Sequence, residues 1–137
     1  MKYWVFTVGL RDLAPPEDWL AEWGHHVTEM WFPSTKRPAS IGRGDRALVY
    51  GSQGRGFIAA VEVTGDQPEP NDDPRFPFKL RYRLLVAKAA DASVALPQNA
   101  EINPNRVIRG PHTEISEDEY RRGVEGMLEA ASRTAAP

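Results

Sequence analysis

Between Phe78 and Val86 the side chains alternate: Phe78, Leu80, Tyr82, Leu84 and Val86 point one way, Lys79, Arg81 and Arg83 the other. A period of two is that of a strand with one face in a core and one in water. Such a strand is stable only inside a sheet, so the rest of the chain must supply its neighbours.

Several segments qualify. Lys2 to Val8 reads as a first strand, with Trp4, Phe6 and Val8 on one side and Tyr3, Val5 and Thr7 on the other. Arg46 to Gly51 and Gly56 to Thr64 read as two strands joined by a hairpin at Ser52-Gln53-Gly54-Arg55. In the second, Phe57, Ala59, Val61 and Val63 share a face, and Ile58, Ala60 and Glu62 share the other. Gly42-Arg43-Gly44-Asp45 reads as the preceding turn. Pro15-Pro16-Glu17-Asp18 opens a short helix that buries Trp19, Leu20 and Trp23 and stops at Gly24. His25 to Arg46 reads as irregular, with Trp31-Phe32-Pro33 in an ordered loop. Residues 65–77, rich in Pro, Asp and Asn, read as a long surface loop. A short strand or turn is expected near Val94-Ala95-Leu96, then a loop through Asn103-Pro104-Asn105. Ser116 and Glu119 form a capping box for a last helix, striped by Tyr120, Val124, Met127 and Leu128. The tail 133–137 is expected to fray. Strands with helices near both ends give an α+β class, with a curved sheet or small barrel at the centre.

At 137 residues, 41% of them apolar and 26% charged, the chain has the size and composition of one globular domain, taken as 1–137. No apolar run reaches the ~18 residues of a membrane span, and the start, Met1-Lys2-Tyr3-Trp4, lacks a secretion signal. Cysteine is absent, which excludes disulfides, thiol catalysis and cysteine-ligated zinc. These features fit a cytoplasmic protein.

The net charge of −2 excludes a wholly basic nucleic-acid coat but hides a segregation. Residues 75–88 carry Arg75, Lys79, Arg81, Arg83 and Lys88 without an acid. Residues 36–55 carry Lys36, Arg37, Arg43, Arg46 and Arg55 against Asp45 alone, whereas 114–129 is strongly acidic. Rows of cations attract phosphates, but Lys79, Arg81 and Arg83 are equally what the wet side of a one-faced sheet would carry. Aromatics interleave with the cations: Trp31 and Phe32 precede Lys36-Arg37, and Phe76 and Phe78 flank Lys79. Flat rings can stack on unpaired bases or simply fill a core. His25-His26 with Glu29 lacks a third ligand, so no metal is assigned. The glycines of Gly51-Ser52-Gln53-Gly54-Arg55-Gly56 lack the Lys-Ser/Thr of a phosphate loop. No Gly-x-Ser-x-Gly nucleophile elbow exists.

Taken in order, several pieces resemble the EVE domain family. These are the opening Tyr3-Trp4, a loop leading to Gly44-Asp45, and the strand pair Ala47-Leu48-Val49-Tyr50 and Ile58 to Thr64 followed by Pro68. The strand Phe76 to Tyr82 and the closing Ile115-Ser116-Glu117-Asp118-Glu119-Tyr120 complete the match over nearly the whole chain. EVE domains belong to the PUA-like group with ASCH and YTH domains. The resemblance implies a small bent β-barrel flanked by short helices, with a pocket at one end for a modified or flipped base of RNA or DNA. On that reading Trp31, Phe32, Ser34, Tyr50 and Ser52 form the base pocket, and Lys36, Arg37, Arg55, Lys79 and Arg81 contact phosphates. The family's Trp-x-Gly-Val-Arg-Asn run is replaced here by Val27 to Arg37, where Ser34 and Thr35 offer hydroxyls in place of an amide. The reading calls for no cofactor, metal or membrane.

Two alternatives come from other classes. Ser34-Thr35-Lys36-Arg37 also resembles the Lys-Thr region of ASCH domains, some of which hydrolyse N-acyl pyrimidine nucleosides. Lys36 would then act as base or nucleophile, with Glu62 assisting proton transfer. The third reading is a barrel that binds a small molecule or a protein without nucleic acid, which the acidic balance favours.

Overall fold

The computed structural model describes residues 1–8, 29–32, 40–51, 56–72, 74, 77–87, 97–103, 105 and 112–132. Their strands are β1 (Tyr3–Val8), β2 (Glu29–Phe32), β3 (Arg46–Gly51), β4 (Gly56–Val63), β5 (Glu69–Pro70), β6 (Phe78–Ala87) and β7 (His112–Ile115). A 3-10 turn at Pro97–Ala100 and the helix α1 (Glu117–Ser132) complete the described elements. The helix expected near Pro15, the hairpin turn 52–55 and the short strand near Val94 lie outside the described residues.

Six strands follow the order β2-β6-β4-β3-β1-β7, with β5 paired to β6 beyond the end of β4. β1 and β3 run parallel and the other neighbours antiparallel. The result is a curled mixed sheet, a half-barrel, with α1 packed on one face: a small α+β barrel-like fold. A parallel pair needs a crossover. Here the chain leaves β1, forms β2 at the far edge and returns to β3.

The central strands are buried on both sides, which is why Ala47-Leu48-Val49-Tyr50 and Ile58 to Val61 read as nearly continuous apolar runs. Trp4, Phe6, Ala47, Val49, Ile58, Ala59, Val61, Val63, Leu80 and Tyr82 fill one face, with Ile41 and Phe78 against them. Val5, Leu48, Tyr50, Phe57 and Ala60 fill the other, beneath Tyr120 and Met127 of α1 and beside Ala100, Ile102 and Ile115. Trp4 and Phe6 thus oppose Tyr3 and Val5, in keeping with the alternation of the first strand.

Two bulges correct the expected faces. Between β3 and β4 the register steps from Val49↔Ala59 to Tyr50↔Phe57, leaving Ile58 extra. Phe57 therefore joins Tyr50 on the helix side, while Ile58 and Ala59 both face the opposite cluster. Between β4 and β6 the register steps from Ala60↔Val86 to Val61↔Leu84, leaving Leu85 extra. Phe78, Leu80 and Tyr82 keep their common face, but Val86 turns under α1, and Leu84 and Leu85 each remain 37% exposed. Bulges also raise local twist, which helps the sheet curl.

Three further expectations change. The irregular segment before β3 contains β2, and the surface loop 65–77 contains β5. His112–Ile115, between the loop expected at Asn103-Pro104-Asn105 and the last helix, forms β7 and pairs with β1, where the sequence reading has no strand. The capping box forms as read: Ser116 N donates to Glu119 Oε1 at 2.9 Å and Glu119 N to Ser116 Oγ at 3.1 Å. Of the helix stripe, Leu128 faces solvent, 54% exposed.

Candidate functional site

The turn before β3 is built around one carboxylate. Asp45 is buried and accepts from Lys2 N at 2.9 Å, Trp4 Nε1 at 3.1 Å and Gly42 N at 3.2 Å. Its own carbonyl accepts from Val63 N at 2.7 Å. Gly44 makes this possible at φ 90°, a left-handed conformation that glycine adopts without a Cβ clash. One side chain thus joins the starts of β1 and β3, so Gly44-Asp45 is architectural.

The predicted site residues divide into three groups. Ser34, Lys36, Arg37, Ser52 and Arg55 lie outside the described residues. Tyr50 is buried in the core beneath α1, its ring edge-on to Phe57 at 5.8 Å between centroids, and burial raises its phenol pKa. The other four meet on one strand pair: in β2 against β6, Trp31 stands opposite Lys79, Phe32 opposite Phe78 and Glu29 opposite Arg81. Residues far apart in the chain thus become register partners at the β2 edge of the sheet.

The basic middle is less basic in three dimensions than along the chain, because acids of residues 62–69 fold into it. Arg81 Nε lies 3.4 Å from Glu69 Oε1, and Arg43 Nε lies 2.7 Å from Asp66 Oδ1. Arg43 holds the Asp66 carboxyl below its usual pKa, first through that hydrogen bond and then through its charge. Glu62 is shared: Arg83 Nε reaches Oε1 at 2.9 Å and Arg46 Nη2 lies 3.6 Å from Oε2. The register makes this a row, with Arg46 directly opposite Glu62 and Glu62 directly opposite Arg83. The carboxylate that the hydrolase alternative needs for proton transfer is thus held between two guanidiniums.

A second feature had no expectation attached to it. A cleft of about 350 Å³ opens between α1 and the sheet, with Tyr3, Arg46 and Ala60 as its floor, Leu85 and Val86 on one side, and Tyr120 and Val124 on the other. The Tyr3 and Tyr120 rings lie 5.1 Å apart. Burial raises the Tyr120 pKa, against the opposing pull of Arg46, to which its hydroxyl is hydrogen-bonded. The sequence signal for this cleft is faint, since it depends on the Leu85 bulge and on which helix face meets the sheet.

Among the described residues there is no group of three or more His, Cys, Asp or Glu side chains placed to hold a metal. None of the described helices is long and apolar enough to cross a membrane. No family model matches the chain, and no curated protein does. Solved structures do. An Agrobacterium tumefaciens protein, solved by crystallography, superposes with a TM-score of 0.61 at 17% identity, over 100% of this chain and 99% of its own. A Rhodopseudomonas palustris protein, solved by NMR, gives 0.60 at 12% identity over 94% of both chains. A Pseudomonas putida protein gives 0.53 at 12% identity over 92% of this chain and 99% of its own. All three are structural genomics targets. The likeness defines a shared small α+β barrel-like fold.

Proposed function

We propose that this chain is a nucleic-acid-binding module of the PUA-like, EVE-type class, which accepts a modified or flipped base at the β2 edge of the sheet. The observation that supports this reading is the pairing of β2 with β6, which sets Trp31 opposite Lys79, two residues from Arg81 on the same strand. A ring for a base face beside cations for the flanking phosphates is the combination that single-stranded or flipped-base recognition requires. The ion pair Arg81–Glu69 is no obstacle. Both side chains are exposed, and such pairs are worth about 0–1 kcal/mol, so a phosphate can displace the carboxylate.

The test is equilibrium binding to short single- and double-stranded RNA and DNA, with and without modified bases, at low and moderate salt. Trp31→Ala and Arg81→Glu run beside the unsubstituted chain, each checked for folding. Trp31→Ala should remove the ~1–3 kcal/mol of one stacked base. Arg81→Glu should weaken all sequences alike and lower the salt slope by about one. Undetectable binding across the panel by the folded, unsubstituted chain would refute the reading.

A further inference from the structure

We propose that the cleft between α1 and the sheet is a second site, for a small monocarboxylate with an apolar body. Its carboxylate would sit on Arg46 and Tyr120, and its body against Leu85, Val86 and Val124.

The charge arrangement selects an anion. Across the row Arg46–Glu62–Arg83, two guanidiniums share one carboxylate, which leaves the row with one excess positive charge, and its more weakly paired end, Arg46, lies at the cleft floor. The contact of Arg46 with Glu62 is long at 3.6 Å, and Arg46 Nε is buried without a hydrogen-bond partner. A guanidinium offers five N–H donors in a planar fork that matches a carboxylate. Here that fork is incompletely used: Nε is enclosed, and the side chain, 40% exposed, lines the cleft floor. The Tyr120 hydroxyl, beside it, is free to turn its proton towards an incoming oxygen.

The rim selects a monoanion. Glu117 and Glu125 stand at the mouth, and only Glu117 is paired with Arg121, at 3.2 Å. A phosphate dianion would meet that negative edge with one compensating charge beneath it. The walls select an apolar body: Ala60, Leu85, Val86 and Val124 line the cleft, and Leu85 is exposed because the bulge expels it from the β4–β6 ladder. At about 350 Å³ the cleft is at the small end of ligand pockets, the size for a ring or short chain bearing one acid group.

The probes are benzoate, benzamide and phenyl phosphate, titrated into the full chain and followed by amide and methyl NMR shifts. Benzoate should bind and move the signals of Tyr3, Arg46, Tyr120 and Val124. Benzamide and phenyl phosphate should each bind about tenfold more weakly or worse. Arg46→Gln should abolish benzoate binding. Because Arg46 is tied to Glu62, Leu85→Glu serves as the second variant: it leaves the row intact, places a negative charge in the cleft and should weaken benzoate about tenfold. Trp31→Ala should leave benzoate affinity unchanged, which separates this site from the nucleic-acid face. Absence of shifts at about 10 mM benzoate, shifts mapping elsewhere, or equal binding of benzamide or phenyl phosphate would each overturn the proposal.

Discussion

Two glycines of α1, Gly123 and Gly126, share a helix and one intrinsic cost, yet alanine should stabilise the chain only at Gly126. In a helix interior alanine is favoured over glycine by about 1 kcal/mol. A Cβ at Gly126 would meet nothing within 4 Å, so Gly126→Ala should realise that gain. A Cβ at Gly123 would fall inside the surface of Leu48 Cδ1 and lie 3.2 Å from Cδ2. Leu48 is fully buried and cannot swing away without moving its neighbours. Forcing an extra methyl into a packed core costs about 1–3 kcal/mol, which cancels or reverses the propensity gain. The two variants should therefore differ in stability by about 1–3 kcal/mol, with Gly126→Ala the more stable. Urea titration checks this through the midpoint at constant m-value. Leu48→Ala should cost the unsubstituted chain about 2–5 kcal/mol, but it should relieve Gly123→Ala, giving a coupling of about 0.5–3 kcal/mol in a double-mutant cycle. If Gly123→Ala stabilises as much as Gly126→Ala, the close approach of α1 to β3 is wrong.

Other expectations follow from single residues. Asp45→Ala strands three N–H donors, the Trp4 indole among them. It should cost about 3 kcal/mol or more in denaturant unfolding, and a loss below about 1 kcal/mol would show that the turn does not depend on the carboxylate. Met127→Ala should cost about 2–5 kcal/mol, whereas its exposed neighbour Leu128→Ala should stay within about 0.5 kcal/mol; similar losses at both would contradict the placement of α1. Burial lowers the pKa of His112 from 6.5, so the folded chain binds fewer protons there than the unfolded chain. The stabilising contribution is present above pH 6.5 and is lost as the pH falls through the lowered folded value. His112→Phe, which keeps a ring against Trp4, should flatten the dependence of the unfolding midpoint on pH between about 5 and 7.5. Parallel pH profiles for the two chains would assign the dependence to other groups.

What could be read from the chain was local. The capping box of α1 needs only Ser116 and Glu119, three positions apart, and it forms in both directions. Alternation placed Trp4 and Phe6 against Tyr3 and Val5 correctly because a strand's period is a property of its own backbone. It failed at Phe57 and Val86, where a partner strand's register decides which residue is extra. No pattern within residues 56–63 or 78–87 marks Ile58 or Leu85 as that residue. β2 and β7 were hidden for a related reason. Each is four residues long and gains its hydrogen bonds from a distant strand, β6 and β1.

Charge shows the same dependence on pairing, with consequences for function. Along the chain, cations gather in residues 36–55 and 75–88, while Glu62, Asp66 and Glu69 fall between the two windows. Antiparallel pairing of β4 with β3 and β6 inserts Glu62 between Arg46 and Arg83, and β5 brings Glu69 to Arg81. The cations then differ by setting rather than by type. Arg81 is held by one exposed carboxylate and exchanges it readily for a phosphate, so contacts there should weaken as salt rises. Arg46 is partly enclosed beneath α1 with Tyr120 beside it, where screening by salt is weaker. A polyanion bound at the β2–β6 edge should therefore be released by salt concentrations that leave a small acid in the cleft. Measuring both ligands across one salt series would separate the two sites without any substitution, and parallel loss of both would indicate a single shared surface.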